Sequence, residues 1–172
     1  MNSSKGTRRA DAGKLRIIAG KYRSRLLRVA ARPGLRPTPD RVRETLFNWL
    51  GQDLSGLACL DLFAGTGALG FEAASRGAAR VVMVEADRIA LAELYRSRAA
   101  LGAEQVLIST GDANAFLARE KECFDLVFLD PPFTGRGGRH DSNVISALAG
   151  RGELKTIIRF VGYFSLISWH IC

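Results

Sequence analysis

From Leu57 onward the chain alternates short, unbroken apolar runs with longer stretches whose apolar positions recur every three or four residues. The runs are 57–63 (LACLDLF), 81–85 (VVMVE), 105–110 (QVLIST) and 124–130 (FDLVFLD). Each is too short for a helix and rich in Val, Leu, Ile and Phe, so each predicts a strand buried on both faces. Between them, 68–76, 88–101 and 113–120 predict helices, with Asp87 placed as an N-cap and Gly102 as a stop. Strand alternating with helix means βαβ units, and these assemble into a mostly parallel sheet with helices on both faces.

Upstream the period changes. Leu15, Ile17, Ile18, Tyr22, Leu26, Leu27 and Val29 alternate loosely with Arg16, Lys21, Arg23, Arg25 and Arg28 about Gly20, a pattern that predicts a small β-hairpin with one basic face. A rigid Pro-rich connector follows at 32–39. Thr38-Pro39 then predicts a helix start, with the Thr38 hydroxyl free to accept a backbone N–H. Val42, Leu46, Phe47, Trp49 and Leu50 make the apolar stripe of this helix, Arg41, Arg43 and Glu44 its opposite face, and Gly51 its end. The expected division is therefore a disordered basic arm at 1–14, a hairpin and helix at 15–52, and an α/β domain at 53–172 with an atypical tail from about 134.

Charge sharpens this division. The chain of 172 residues is 47% hydrophobic, enough for one core, and carries a net charge of +8. Thirteen of its 25 Lys and Arg lie in residues 1–43 against only Asp11 and Asp40, whereas the other 12 face 15 carboxylates over 44–172. Basicity confined to one end suits a polyanion partner, because each phosphate contact releases condensed counterions. Arg16, Lys21, Arg23, Arg25, Arg28, Arg36, Arg41 and Arg43 are the candidate polyanion-binding residues. No apolar run is long enough to span a membrane and the start is polar and charged, so a cytoplasmic protein is expected. Cys59, Cys123 and Cys172 lack metal spacing and are expected to be buried, unreactive thiols; no metal is expected, and His140, in a Gly/Arg-rich loop, is given no role.

The first strand of the α/β region runs into DLFAGTGALG at 61–70, where Gly65, Gly67 and Gly70 form a GxGxxG between strand and helix. On its own that spacing fits a tight turn, a dinucleotide or S-adenosylmethionine. Asp61, four residues before Gly65, discriminates: a carboxylate there holds a cofactor ammonium and repels a pyrophosphate. Phe63 and Ala64 complete the loop. Glu85, at the end of the second strand, is placed to accept ribose hydroxyls of either adenosine cofactor. Asp112, beside Ala113 after the third strand, is either an acceptor for the adenine amine or a solvated loop acid.

At the end of the fourth strand stands Asp130-Pro131-Pro132-Phe133. An aromatic amine is a poor nucleophile because its lone pair is delocalised into the ring. A carboxylate at Asp130 and the carbonyl of Pro131, followed by the fixed Pro132, can accept its two N–H bonds and direct the lone pair, while Phe133 stacks on the base. The base must be unpaired or flipped to enter.

Taken together, RIIAGKYRSR at 16–25, LRPTPDRVRETLFNWL at 35–50, the glycine loop at 61–70 and DPPF at 130–133 resemble the bacterial 16S ribosomal RNA guanine-N2 methyltransferases, the RsmD family. The resemblance covers about residues 15–133. It implies a Rossmann-like class I methyltransferase fold using S-adenosylmethionine, an N-terminal hairpin on RNA, residues 36–48 closing over cofactor and base, and methylation of a small-subunit guanine within a 30S particle or its assembly intermediate by a monomer. From about 134 the chain departs from the family pattern, with GRGGRHDS and then an apolar tail able to supply one or two strands. Two other functions share these features: a DNA adenine or cytosine amino-methyltransferase, and a non-catalytic RNA-binding assembly module. A nicotinamide oxidoreductase leaves Asp61 and DPPF unexplained.

Overall fold

The computed structural model describes residues 13–29, 38–131, 144, 156–159 and 168–169. The basic arm at 1–12, Arg36, Pro132, Phe133, His140, His170 and Cys172 lie outside the described residues. Twelve elements follow in order: β1 (Lys14–Arg16), β2 (Leu26–Arg28), α1 (Asp40–Leu50), β3 (Ala58–Asp61), α2 (Ala68–Ser75), β4 (Arg80–Glu85), α3 (Arg88–Leu101), β5 (Val106–Thr110), α4 (Ala113–Arg119), β6 (Leu126–Leu129), β7 (Thr156–Arg159) and β8 (Ser168–Trp169).

β3 to β8 form one sheet in the order β5-β4-β3-β6-β7-β8, parallel except for the antiparallel β7–β8 pair. Period-two alternation sorts the strand side chains onto two faces. Cys59, Val81, Met83, Leu126 and Phe128 pack with α1, α2 and α3, whereas Leu60, Leu62, Val82, Val84, Val127 and Leu129 pack with Phe116 and Leu117 of α4 and with Val144. Both faces are covered, and this is why the strands read as unbroken apolar runs. The caps also match their residue types: Asp87 accepts from Ile89 N and Ala90 N at 2.9 Å, and Gly102 closes α3 at φ 61°. The tail contributes β7 and β8, the two strands its apolar composition allowed.

β1 and β2 pair antiparallel, Leu15 opposite Leu27 and Lys14 opposite Arg28. Leu15, Ile17, Tyr22, Leu27 and Val29 are buried in the same cluster as α1 and α2, so the hairpin is docked on the sheet's helical layer. At Gly20, φ +78°, a Cβ would run into the carbonyl of Ser75, and Lys21 N donates to that carbonyl at 2.7 Å. Tyr22 N adds a bond to Ser75 Oγ at 2.9 Å.

Three local expectations are corrected. Thr38 does not cap α1; Pro39 is the N-cap, without a side-chain cap bond, and the Thr38 hydroxyl points elsewhere. Trp49 is 63% exposed rather than part of the buried stripe, which consists of Leu46 and Phe47 with Arg43. Cys123 is exposed, whereas Cys59 is buried, and burial pushes its thiol up to about 12.

Candidate active site

Four carboxylates stand in a row along one edge of the sheet. Asp61 ends β3, Glu85 ends β4, Asp112 follows β5 and Asp130 follows β6. All four strands are parallel, so all four residues fall at carboxyl ends. The chain leaves β3 toward β4 and β5, then returns to place β6 on the other side, so the strand order reverses between β3 and β6, at a point where open α/β sheets bind ligands. Asp61 and Asp130 flank that point.

Asp61 is buried, 1% exposed. Its Oδ2 accepts from Gly70 N at 3.1 Å, while Oδ1 has no hydrogen-bond partner among the described residues. Desolvation, then the neighbouring Asp130, raise this carboxyl to about 7, opposed by the Gly70 and Phe63 amides. A buried carboxylate oxygen without a donor, next to further carboxylates, is a site for a cation. The residues present therefore fit a cofactor bearing ammonium and sulfonium charges and do not fit a pyrophosphate.

The glycine loop is built for close approach. Gly65 and Gly67 have φ 50° and 77°, and a Cβ on Gly67 would lie 2.6 Å from Phe71 Cδ2 and 2.7 Å from Leu94 Cδ2. A Cβ on Gly70 would collide with Met83 of β4, so this third glycine sets the spacing of helix and sheet. Glu85 ties the loop to β4: Oε2 accepts from Gly65 N at 2.7 Å, and Oε1 from Ala86 N at 2.9 Å and Asp87 N at 2.8 Å. Phe63 and Gly65 are half-buried and Ala64 buried. Asp112 caps α4, accepting from Ala115 N at 3.0 Å, and Ala113, the first residue of that helix, is buried. Asp130 and Pro131 are half-buried. Burial raises the Asp130 carboxyl, and a hydrogen bond from Thr38 Oγ1 at 3.0 Å to Oδ2 opposes that rise.

Of the basic candidates, Arg16, Lys21, Arg23, Arg25, Arg28 and Arg41 are exposed. Arg25 also donates to Ala100 O at 2.8 Å, at the end of α3. Lys14, which sequence reasoning left out, joins this face opposite Arg28. Arg43 does not join it. It is 0% exposed, and its guanidinium is committed to Glu72 Oε2 at 3.1 Å, Asp40 Oδ1 at 2.6 Å, Arg16 O at 2.7 Å and Thr38 O at 3.2 Å. A phosphate contact from Arg43 is thereby replaced by an internal one.

Glu72, also missed, is the centre of that arrangement. It accepts from Ile18 N, Ala19 N, Arg43 and Arg76 and is 0% exposed. Its signal in the sequence was a lone carboxylate inside the otherwise small and apolar helix ALGFEAAS. A charge there must be paired.

A glycine loop at a strand switch point, a carboxylate row whose buried member Asp61 suits a cation, and a strand-end Asp-Pro define a Rossmann-like class I methyltransferase fold with a small N-terminal hairpin. The chain belongs to the family described as conserved hypothetical protein 95, whose family profile matches residues 15–157. It is 48% identical over 124 residues to Ribosomal RNA small subunit methyltransferase D of Escherichia coli K12, a match covering 72% of this chain and 63% of that protein. The Haemophilus influenzae protein of the same name is 46% identical over 125 residues, 70% of this chain and 65% of that one. The chain thus spans just under two thirds of the length of these relatives. The solved structure of the yhhF protein of Escherichia coli superimposes with a TM-score of 0.77 at 38% identity, covering 90% of this chain and 87% of that one. The family resemblance read from about residues 15–133 therefore stands.

Proposed function

We propose that this protein transfers a methyl group from S-adenosylmethionine to the exocyclic N2 amine of a guanine in small-subunit ribosomal RNA. The observation that carries the reading is Asp130, a half-buried carboxylate followed by Pro131, held beside the cation-seeking Asp61 at the strand switch point. Asp61, the loop 63–67, Glu85 and the Asp112–Ala113 segment would hold the cofactor, which supplies an electrophilic methyl on a sulfonium. Asp130 and the Pro131 carbonyl accept the two amine N–H bonds and aim the nitrogen lone pair. Transfer would form the nitrogen–methyl bond as the sulfonium–methyl bond breaks, its electron pair staying on sulfur as a neutral thioether. The amine would shed a proton to Asp130, whose burial makes it the stronger base. Phe133 stacks on the extruded base.

The hairpin supports RNA as the partner. Lys14 and Arg28 lie directly opposite one another, with Arg16 on the same exposed face. Like charges across a strand pair destabilise it, and a phosphate backbone offsets that cost. Among the described residues no helix is long and apolar enough to cross a membrane. We place the protein in the cytoplasm, acting as a monomer on a 30S particle or its precursor.

Transfer of labelled methyl to small-subunit particles, naked ribosomal RNA and duplex DNA tests this. Label in guanine of ribosomal RNA is expected. Label in DNA adenine or cytosine moves the activity to DNA, and RNA binding with no cofactor affinity makes the chain a binding module. Asp130→Ala is expected to abolish transfer and leave cofactor affinity within about twofold, because the carboxylate addresses the base.

A further inference from the structure

The Thr38 hydroxyl donates to Asp130 Oδ2 at 3.0 Å across a sequence separation of 92 residues. This contact joins the start of α1 to the end of β6. Thr38 is itself held: its carbonyl accepts from Arg43 Nε at 3.2 Å, one turn into α1. Arg43 in turn is anchored on Glu72 of α2, and its other nitrogen bonds Arg16 O, the last residue of β1. Arg43 and Glu72 are each 0% exposed in their side chains. A buried guanidinium with four protein acceptors has a single orientation, because breaking any bond leaves a charged donor without a partner. The line Glu72–Arg43–Thr38–Asp130 therefore runs from the interior to the carboxylate that meets the base.

We propose that Thr38 and Arg43 are positioning residues for Asp130: Arg43 fixes the Thr38 backbone, and the Thr38 hydroxyl occupies Oδ2 so that Oδ1 is the oxygen presented to the amine. This rests on the base-amine methyltransferase reading above. Because Arg43 also bonds Arg16 O, the same line connects the basic hairpin to Asp130. Among the described residues the charged group beside Asp130 is the carboxylate of Asp61, which Glu85 also faces. Arg43 and Asp40 are paired with each other, and among the described residues no cation forms an ion pair with Asp130. The Thr38 hydroxyl is thus the described group that favours the ionised carboxylate against burial.

Thr38→Val removes the donor at nearly constant shape, and Thr38→Ser keeps it. At saturating RNA and cofactor, Thr38→Val is expected to lower kcat about tenfold, the scale of one hydrogen bond to a charged group. Cofactor affinity stays unchanged, the acid limb of the pH profile moves to higher pH, and Thr38→Ser recovers most of the rate. Independently of turnover, carbon-13 NMR of labelled aspartate, with Asp130→Asn for assignment, should show the Asp130 titration moving up in Thr38→Val. Parental kcat and pH profile in Thr38→Val, an unmoved Asp130 titration, or equal impairment of Val and Ser variants each overturn the proposal. If the parent methylates no nucleic acid while the Asp130 titration still moves, the relay stands and the assigned reaction falls. Arg43→Lys, which keeps the charge without the fork, should reproduce part of the Thr38→Val shift.

Discussion

Replacing Asp61 with asparagine should make the stability of the protein cross that of its parent as pH rises. The native carboxyl titrates at about 7 rather than 3.8, first because it is desolvated and second because Asp130 lies close. Between those values the folded chain retains a proton that the unfolded chain has released, so the parent loses stability as pH rises from about 4 to about 7. At about 1.4 kcal/mol per pH unit the full displacement corresponds to roughly 4 kcal/mol. Asparagine does not ionise and escapes this loss. It can still accept from Gly70 N, but its amide donor replaces Oδ1, which has no described partner, at a pH-independent cost of about 1–3 kcal/mol. Asp61→Asn is therefore expected to be less stable than the parent near about pH 4 and more stable by about 1–3 kcal/mol near about pH 8. In a chain of this size that gain raises Tm by roughly 5 °C. Urea melts of both proteins across pH measure it, and S-adenosylmethionine titration by calorimetry should show the affinity reduced in the same variant. Parallel stability curves, with a constant offset at every pH, would refute the placement of an ionising Asp61 in the interior.

Two further outcomes follow from the docking of the hairpin. Glu72→Ala leaves Arg43 and Arg76 buried without their shared carboxylate and should cost about 3–5 kcal/mol of stability, read from the urea midpoint. Lys14→Gln combined with Arg28→Gln removes a like-charge pair and two phosphate contacts, so RNA affinity should fall with a shallower salt slope while the free protein melts no lower.

The α/β half of the fold was legible because each local signal agreed with the global one. Apolar runs fully covered on two faces read as strands, Asp87 accepts two helix amides, and Gly102 and the three loop glycines stand where φ is positive or a Cβ would collide. The carboxylate row was legible residue by residue, since each acid ends or follows a strand. Its collective property was not: the rise of the Asp61 carboxyl depends on which strands are neighbours, and strand order is not written in any local window. The same limit explains Arg43. Flanked by Arg41 and Glu44 it reads as one more surface charge, and only the packing of α1 on α2, which brings Glu72 under it, makes it an interior group. Trp49 failed in the opposite sense, an apolar residue at a stripe position with no layer above it among the described residues. Thr38 was placed correctly at the head of a helix and given the wrong partner, because a hydroxyl can donate across the fold as readily as it accepts within its own turn.

The four donors gathered on Glu72 also decide how the molecule comes apart. Two are backbone amides following β1, one belongs to α1 and one to Arg76 at the C-cap of α2, the helix that the glycine loop leads into. Peeling the hairpin away would strand a carboxylate in an apolar helix, so hairpin and loop form one cooperative unit for opening. Amide exchange at Ile18 and Ala19 should then be as slow as at Gly70, and a ligand bound at either end should protect the other from proteolysis.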